Sequence, residues 1–226
     1  MSEKPAREVI SRRARPAKAP LSRDIIVDTA LSMLAKEGLQ GLSLRKVAVA
    51  LDTGPASLYV YVENLSELYR LMLEQALGEV ALPKSKSTPP RQRLVSLLSS
   101  YFKVLSARPG LAQLMMTVIP MGRNSFRMLD CLLGLLLEAG VGEQKAAWGA
   151  DLLLLYVTSV AAEQDNRRQM GSGSMRLSHV ERALAELPSD EFPFVARLRS
   201  ALISGDGVKR FKWALEVVLD GVVAHA

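Results

Sequence analysis

The chain has 226 residues and a mass of 24.7 kDa, of which 49% are hydrophobic and 23% are charged. This is the composition of an ordinary globular protein, which excludes a wholly disordered, fibrous or low-complexity chain. There are 29 Lys and Arg against 23 Asp and Glu, so the net charge of +6 favours an anionic partner without identifying it.

The distribution of cysteine and of apolar residues bears on the compartment. Cys131 is the single cysteine, which excludes an intrachain disulfide and suits a reducing environment. The longest apolar stretches, 131–137 and 152–162, are far shorter than the roughly 20 residues that span a bilayer. The basic N-terminus is not followed by the apolar core of a signal peptide. We therefore expect a cytoplasmic protein that does not enter a membrane.

The first 20 residues form a segment of their own. They hold six basic and two acidic side chains, three prolines and no apolar periodicity, which predicts a flexible basic arm. Residues 21–82 hold five basic and eight acidic side chains, whereas 83–226 hold eighteen and thirteen. We expect the arm (1–20), a small N-terminal domain with a connecting helix (21–82) and a larger C-terminal domain (83–226).

Capping residues and apolar spacing predict four helices in 21–82. Ser22, Ser43 and Asn64 are favourable N-cap residues, and Asn64 with Glu67 has the spacing of a capping box. Pro55 suits the first position of a short helix after the turn 52–54. The predicted helices run from Ser22 to Gly38, from Ser43 to Leu51, from Pro55 to Tyr61 and from Asn64 towards Pro83.

The rest of the chain also has helical periodicity. After a linker at 83–90, helices are predicted at 91–106, 111–118, 124–139, 143–164, 176–187, 194–203 and 207–224, separated by Gly and Pro. No alternating strand pattern is found in the sequence. The predicted fold class is all-α, with a small helix-turn-helix domain joined to a larger helical domain.

The second and third predicted helices, with their tight turn, have the form of a helix-turn-helix. An ordinary helical hairpin would give the same pattern, so the flanking residues decide between the two. Ala30 with Leu34, Gly38 with Gly41, the run LSLRKVA at 42–48, then Leu58-Tyr59 and Leu68 occur in order. This combination resembles the DNA-binding domain of the TetR family of transcriptional regulators. Residues 188–198 and the final GDGVKRFKWALEVVLDGVVAHA resemble the tetracycline-repressor-like C-terminal domain.

The resemblance implies a DNA-binding site in which 55–61 is the recognition helix in the major groove. By similarity, Ser43 contacts a phosphate and Arg45 a base edge, with Lys46 nearby. The start of a helix favours such a phosphate because its N–H groups are unpaired and its dipole is positive. The remaining predicted contacts are base-facing Gly54, Pro55, Ala56 and Ser57 and phosphate-binding Tyr59 and Tyr61.

Several positions depart from the family pattern. The family commonly has Gly and Val at Asp52 and Thr53, His at Tyr61 and Lys at Leu65. The small, nearly uncharged side chains of 55–57 offer no bidentate contact to a base, so we expect Arg45, with Lys46, to supply most base hydrogen bonds.

The basic arm has two interpretations. Arg12, Arg13, Arg15 and Lys18 can reach phosphates or the minor groove beside a negatively charged domain, or the arm is a solvated disordered tail.

The helices at 143–164 and 207–224 are apolar on more than one face, so each requires two packing partners. In the family these two helices pair with their symmetry mates as a four-helix bundle. The resemblance therefore implies a homodimer, with recognition helices about 34–36 Å apart on a pseudo-palindromic operator.

A ligand cavity is implied in the C-terminal domain, and its candidate residues are apolar or amphipathic. For each of them, ordinary core packing is the alternative. They are Tyr101, Leu105, Met115, Val118, Met121, Phe126, Trp148, Leu152 and Tyr156.

A metal-bound effector is disfavoured by the sequence. The tetracycline-repressor pattern has a magnesium-binding histidine where this chain has Ala107-Arg108-Pro109-Gly110. The two histidines, His179 and His225, lie far along the chain. We expect neither a metal nor a cofactor.

These observations predict a sequence-specific DNA-binding regulator, a repressor that a small hydrophobic ligand releases from double-stranded operator DNA. One alternative is a helix-turn-helix protein that acts through a protein partner or without an effector. An all-α enzyme is more remote, because Cys131 and two isolated histidines form no catalytic pattern.

Overall fold

The structure is a computed structural model that describes residues 20–85, 87–169 and 173–224, with only the backbone described for 173–177. These residues contain α-helices, one short 3-10 turn at Leu39–Gly41 and no strand, which confirms the all-α prediction. The helices are α1 Arg23–Glu37, α2 Leu44–Ala50, α3 Pro55–Leu58, α4 Leu65–Leu77, α5 Pro90–Ala107, α6 Leu111–Thr117, α7 Arg123–Glu138, α8 Glu143–Gln169, α9 Gly173–Glu186, α10 Pro193–Ile203 and α11 Gly207–Ala224.

The three predicted N-caps begin their helices as expected. The Ser22 hydroxyl accepts a hydrogen bond from the Ile25 amide at 3.3 Å and begins α1. Ser43 begins α2 by accepting from the Lys46 amide at 3.3 Å. At α4, the Asn64 side chain accepts from the Glu67 amide at 2.9 Å, and the Glu67 carboxylate accepts from the Glu63 amide at 2.5 Å. Each cap satisfies a backbone donor that the first helical turn leaves unpaired.

Three helix ends differ from the prediction. The predicted recognition element is a helix only over Pro55–Leu58, and residues 59–61 continue it as a turn in which the Tyr61 amide bonds to the Leu58 carbonyl. Helix α4 ends at Leu77, well before Pro83, because turns replace the helix at 78–80. By contrast, α8 continues five residues beyond 164 to Gln169, whose side-chain amide donates to Asp165 at 3.2 Å.

The N-terminal helices pack around one apolar core. Helix α1 lies against α2 and α4, and α2 packs against α3. Ile26, Leu34, Val47, Leu58 and Leu68 are all essentially inaccessible to solvent. A helix of four residues is not stable by itself, so the burial of Leu58 holds the short α3 in place.

Helix α8 is the centre of the C-terminal part. It packs against α5, α6, α7 and α11, and Leu153 and Val157 are fully buried. Helices α9 and α10 pack against each other and leave Phe194 and Leu198 exposed.

Helix α4 packs against both α1 and α7, so it joins the two halves of the molecule. The division into 21–82 and 83–226 remains our proposal. Residues 1–19 of the predicted arm lie outside the described residues, and so do the DNA contacts predicted for them. His225 also lies outside the described residues. In the part of the chain that the structure describes, every helix is too short or too polar to cross a membrane.

Candidate DNA-binding surface and ligand cavity

Arg45 is the most available cation at the start of α2. Its side chain is exposed and forms no hydrogen bond or ion pair with any residue that the structure describes. Lys46, in contrast, forms an ion pair of 3.2 Å with Glu37, and both side chains are about half exposed. Arg45 is therefore accessible to a ligand without the loss of an internal contact, whereas Lys46 is paired with Glu37.

Helix α3 presents small side chains to solvent. Gly54 precedes the helix, Pro55 occupies its first turn, and all the positions 54–57 are exposed. The two predicted phosphate-binding tyrosines differ. Tyr59 is 57% exposed, whereas Tyr61 packs partly against the core and its carbonyl accepts a hydrogen bond from Arg23 at 3.3 Å. The predicted DNA-binding residues thus lie on consecutive elements, with Tyr59 more accessible than Tyr61.

Two exposed valines on this surface were not predicted. Val49 on α2 and Val60 after α3 are 71% and 79% exposed. On the predicted recognition element, exposed apolar side chains suit contact with thymine methyl groups. Val49 lies off the face of α2 that buries Val47 and Ala48, and Val60 follows the end of α3 at Leu58, which the periodicity did not predict.

The turn between α2 and α3 contains a strained residue. Asp52 has φ of 49°, and it is the one described non-glycine residue in the left-handed region. The family commonly has glycine here, as the resemblance indicated, and aspartate is among the few residues that tolerate this conformation.

A cavity of about 550 Å³ lies between α6, α7 and α8, with Tyr101 of α5 at one side. Four of the nine predicted ligand residues line it: Tyr101, Met115, Val118 and Phe126. The lining residues that sequence reasoning missed are Met116, Thr117, Ile119, Pro120, Ser125, Met128, Leu129, Ala147, Ala150, Asp151, Leu154, Leu155 and Thr158.

The other five predicted ligand residues are not in this lining. Leu105 is buried in the core, and Met121 is 68% exposed beyond the cavity. Trp148 and Leu152 instead border a groove of about 390 Å³ with α11, and Tyr156 donates a hydrogen bond to the Phe211 carbonyl at 3.2 Å.

The geometry of α8 explains the displaced residues. Successive residues of a helix are rotated by about 100°. The cavity therefore faces Ala147, Ala150, Asp151, Leu154 and Thr158 of α8, while Trp148 and Leu152 point towards a different neighbour. The apolar character of Trp148 and Leu152 indicated that they face another element. It did not indicate whether that element is the cavity lining or α11.

The interior polar groups of the cavity are already paired. The Thr158 hydroxyl donates to the Leu154 carbonyl at 2.7 Å, so the Tyr101 hydroxyl, 2.8 Å from Thr158, donates to Thr158. Burial raises the pKa of Tyr101 to about 12, an effect that the Thr158 hydrogen bond opposes. Tyr101 is therefore a neutral phenol at the wall of the cavity.

One turn joins the cavity to the N-terminal domain. Gly110 precedes α6, which carries Met115 and Met116 of the lining, and its amide donates to the buried Asp165 carboxylate at 2.6 Å. Gly110 has φ of 82°, and a Cβ atom there would lie 2.9 Å from Leu34 Cδ1 of α1. The turn before α6 is therefore in close contact with α1 and hydrogen-bonded to α8.

A second connection runs through α4. The Glu74 carboxylate accepts hydrogen bonds from the Asn124 and Ser125 amides in the first turn of α7, the second at 3.2 Å. The Asn124 side chain donates back to the Glu74 carbonyl at 3.1 Å. A negative charge is favourable at a helix N-terminus, so Glu74 fixes α4 to α7.

Two further groups bear on metal and covalent chemistry. Within the residues that the structure describes, no three His, Cys, Asp or Glu side chains come together as a metal site. Burial and the neighbouring Asp130 raise the pKa of the Cys131 thiol, which disfavours the reactive thiolate. The predicted lack of a metal and a cofactor stays a prediction.

Comparison with known proteins identifies the family. The family described as "Tetracyclin repressor-like, C-terminal domain" matches residues 82–226. The chain belongs to the TetR family. The match begins one residue before the predicted start of the C-terminal domain.

Relatives of this TetR-family chain are named as regulators. An "HTH-type transcriptional regulator" of Saccharopolyspora erythraea is 28% identical over 212 residues, which are 92% of this chain and 87% of that protein. The "HTH-type transcriptional repressor DrrR1" of Streptomyces coeruleorubidus is 26% identical over 218 residues, 92% of this chain and 80% of that one. The TetR-family protein ActR of Streptomyces coelicolor, in complex with actinorhodin, is 34% identical with a TM-score of 0.85, and the match covers 92% of this chain and 98% of ActR. This chain is a TetR-family transcriptional regulator.

Proposed function

We propose that this regulator represses transcription as a homodimer on a pseudo-palindromic operator, and that a small hydrophobic effector in the α6–α8 cavity releases it from the DNA. The observation that carries the proposal is the Gly110 turn, where the helix lining the cavity begins in contact with α1 of the DNA-binding domain. The cytoplasmic location, and the absence of catalysis, remain predictions from the sequence.

Arg45 is the proposed main base-reading residue. It is exposed and unpaired within the described chain, whereas the side chains of 54–57 are too small for a bidentate contact with a base. Ser43, Tyr59 and Tyr61 are proposed to bind phosphates, and Lys46 to contribute after it leaves Glu37.

The operator is first isolated by selecting genomic fragments on the purified protein and mapping the protected bases. Fluorescence anisotropy then compares wild-type protein with Arg45→Ala. A good base contact is worth about 1–3 kcal/mol, so this variant should lose operator affinity by about that amount and discriminate less at the contacted base pair. Lys103→Ala, which removes an exposed cation from α5, is the matched control and should bind normally. Unchanged specificity of Arg45→Ala would contradict the assignment.

The proposed dimer interface is the exposed apolar face of α8 and α11. Trp148 and Trp213 are 65% and 70% exposed, and Leu152 is also accessible beside Val218 and Val222. Pairing two such faces would remove these side chains from water and place the two DNA-binding domains about 34–36 Å apart. Light scattering of the full chain tests this, since a monomer at the concentrations that bind operator would contradict it.

Effector binding is proposed to shift α6. The relative ActR has been crystallised with (S)-DNPA and with actinorhodin, and this supports the proposal that a small molecule also binds this chain. A ligand that binds the DNA-released conformation better by about 1–3 kcal/mol lowers operator affinity by about 5- to 150-fold. Screening of compounds against the protein–operator complex measures the release, and a complex that no compound or cell extract weakens would contradict ligand control.

A further inference from the structure

The cavity between α6, α7 and α8 has an uneven distribution of charge. Most of its lining is apolar, with three methionines and Phe126, and one charged side chain, Asp151 of α8, borders it. Thioethers are polarisable and adapt their rotamers, so this lining accepts a bulky apolar or aromatic group. A cavity of about 550 Å³ has the size of a typical small-molecule site.

The neutral polar side chains of the lining are already satisfied. Tyr101 and Thr158 bond to each other, and Thr158 also donates to the Leu154 carbonyl. Thr117 donates to the Leu114 carbonyl at 2.8 Å. The Ser125 hydroxyl accepts from the Gly122 amide at 2.8 Å and donates to the Gly122 carbonyl at 2.7 Å.

Asp151 differs from these residues. In the described part of the chain its carboxylate has no hydrogen-bond partner and no cation within ion-pair distance. The residues one turn away on α8, Ala147 and Leu155, are apolar. Arg123 and Arg127 of the adjacent α7 are exposed and form no ion pair with it. Asp151 is exposed to solvent, so its carboxylate is an accessible acidic group beside an apolar cavity.

We infer that the effector of this regulator is a hydrophobic organic cation, with its apolar body among the methionines and Phe126 and its ammonium group paired with Asp151. The inference rests on the proposed ligand control and adds the chemical class of the ligand. A carboxylate accepts strong, charge-assisted hydrogen bonds from an ammonium group, and it repels an anion. Asp151 is thus the specificity-determining residue of the cavity.

The test uses three fluorescent probes with one dansyl group. Dansylcadaverine carries a primary ammonium, N-acetyldansylcadaverine is neutral, and 6-(dansylamino)hexanoic acid is an anion. Dansyl fluorescence reports binding to the full-length protein without DNA. The variants are Asp151→Asn and, as a matched control, Asp130→Asn, which removes an exposed carboxylate of α7 that does not line the cavity.

Wild-type protein and Asp130→Asn should bind the ammonium probe about three- to fivefold more tightly than the neutral one, and the anion most weakly, because solvent screens the exposed Asp151 carboxylate. In Asp151→Asn this preference should fall below about twofold, while affinity for the neutral probe stays unchanged and shows that the cavity is intact. A preference that survives in Asp151→Asn, an anion that binds as well as the cation, or no binding of any probe would overturn the inference.

A second readout separates this inference from ligand control. If the probes bind in the expected order but leave operator affinity unchanged, the ligand class is supported and ligand control is contradicted. If other compounds release the operator while the probes show no preference for the cation, ligand control stands and the ligand class is overturned.

Discussion

The substitution Gly110→Ala tests the connection between the cavity and the DNA-binding domain. Gly110 has φ of 82°, and left-handed backbone costs an alanine about 1–2 kcal/mol. The new Cβ would also lie 2.9 Å from both Cδ1 and Cγ of the buried Leu34, a clash that adds about 1–3 kcal/mol. Together these costs predict that the variant loses about 2–5 kcal/mol of unfolding free energy.

Gly140→Ala is the matched control for backbone strain. Gly140 has φ of 90°, but a Cβ there would meet no atom within 4 Å. It should therefore lose only the backbone cost, about 1–2 kcal/mol. Urea unfolding of each full-length variant at one fixed protein concentration gives the difference, since the stability of a dimer depends on concentration.

The same pair of variants is then assayed on the operator. Gly110→Ala pushes the α6 turn and α1 apart, so it should change operator affinity and its response to effector, whereas Gly140→Ala should leave both unchanged. Equal loss of stability in the two variants, with equal operator affinity, would refute a tight Gly110–Leu34 contact as the link between the domains.

Substitutions at three further sites have defined outcomes. Asp52→Gly should be about 1 kcal/mol more stable than Asp52→Ala, because both remove the carboxylate and only glycine relieves the left-handed backbone; thermal unfolding with no difference between the two would contradict the strain. Asp165→Asn weakens the charged acceptor of the buried Gly110 amide and should cost about 1–3 kcal/mol in urea unfolding, and a neutral result would exclude that bond as an important one. The pKa of Tyr101 is raised to about 12, so its folded-state contribution is complete below pH 10 and is lost as the pH rises towards 12. Tyr101→Phe should therefore flatten the decline of stability between about pH 10 and 12, and an unchanged slope would be inconsistent with a buried neutral phenol.

The N-terminal part of the fold was predictable because its signals are local. Ser22, Ser43 and Asn64 each bond to an amide three residues away, so their caps are encoded in adjacent sequence. The end of α3 at Leu58 was less predictable. Its four residues are held by the burial of Leu58 against other helices, a tertiary effect that has no local signal.

The cavity was only partly predictable for a related reason. Periodicity indicated that α8 is apolar on several faces, but its neighbours decide which face meets a ligand. Asp151 could have been found from the helical phase of Leu154 and Thr158, since all three lie on one side of α8. The loop residues Ile119 and Pro120 had no periodic signal that placed them in the lining.

The Glu74 cap on α7 favours one register of α4 against α7. The Glu74 carboxylate accepts from two amides in the first turn of α7, and the Asn124 side chain donates back to the Glu74 carbonyl. A displacement of α4 along α7 would leave these α7 amides without their acceptor, so the neighbouring registers are less stable than the one in the structure.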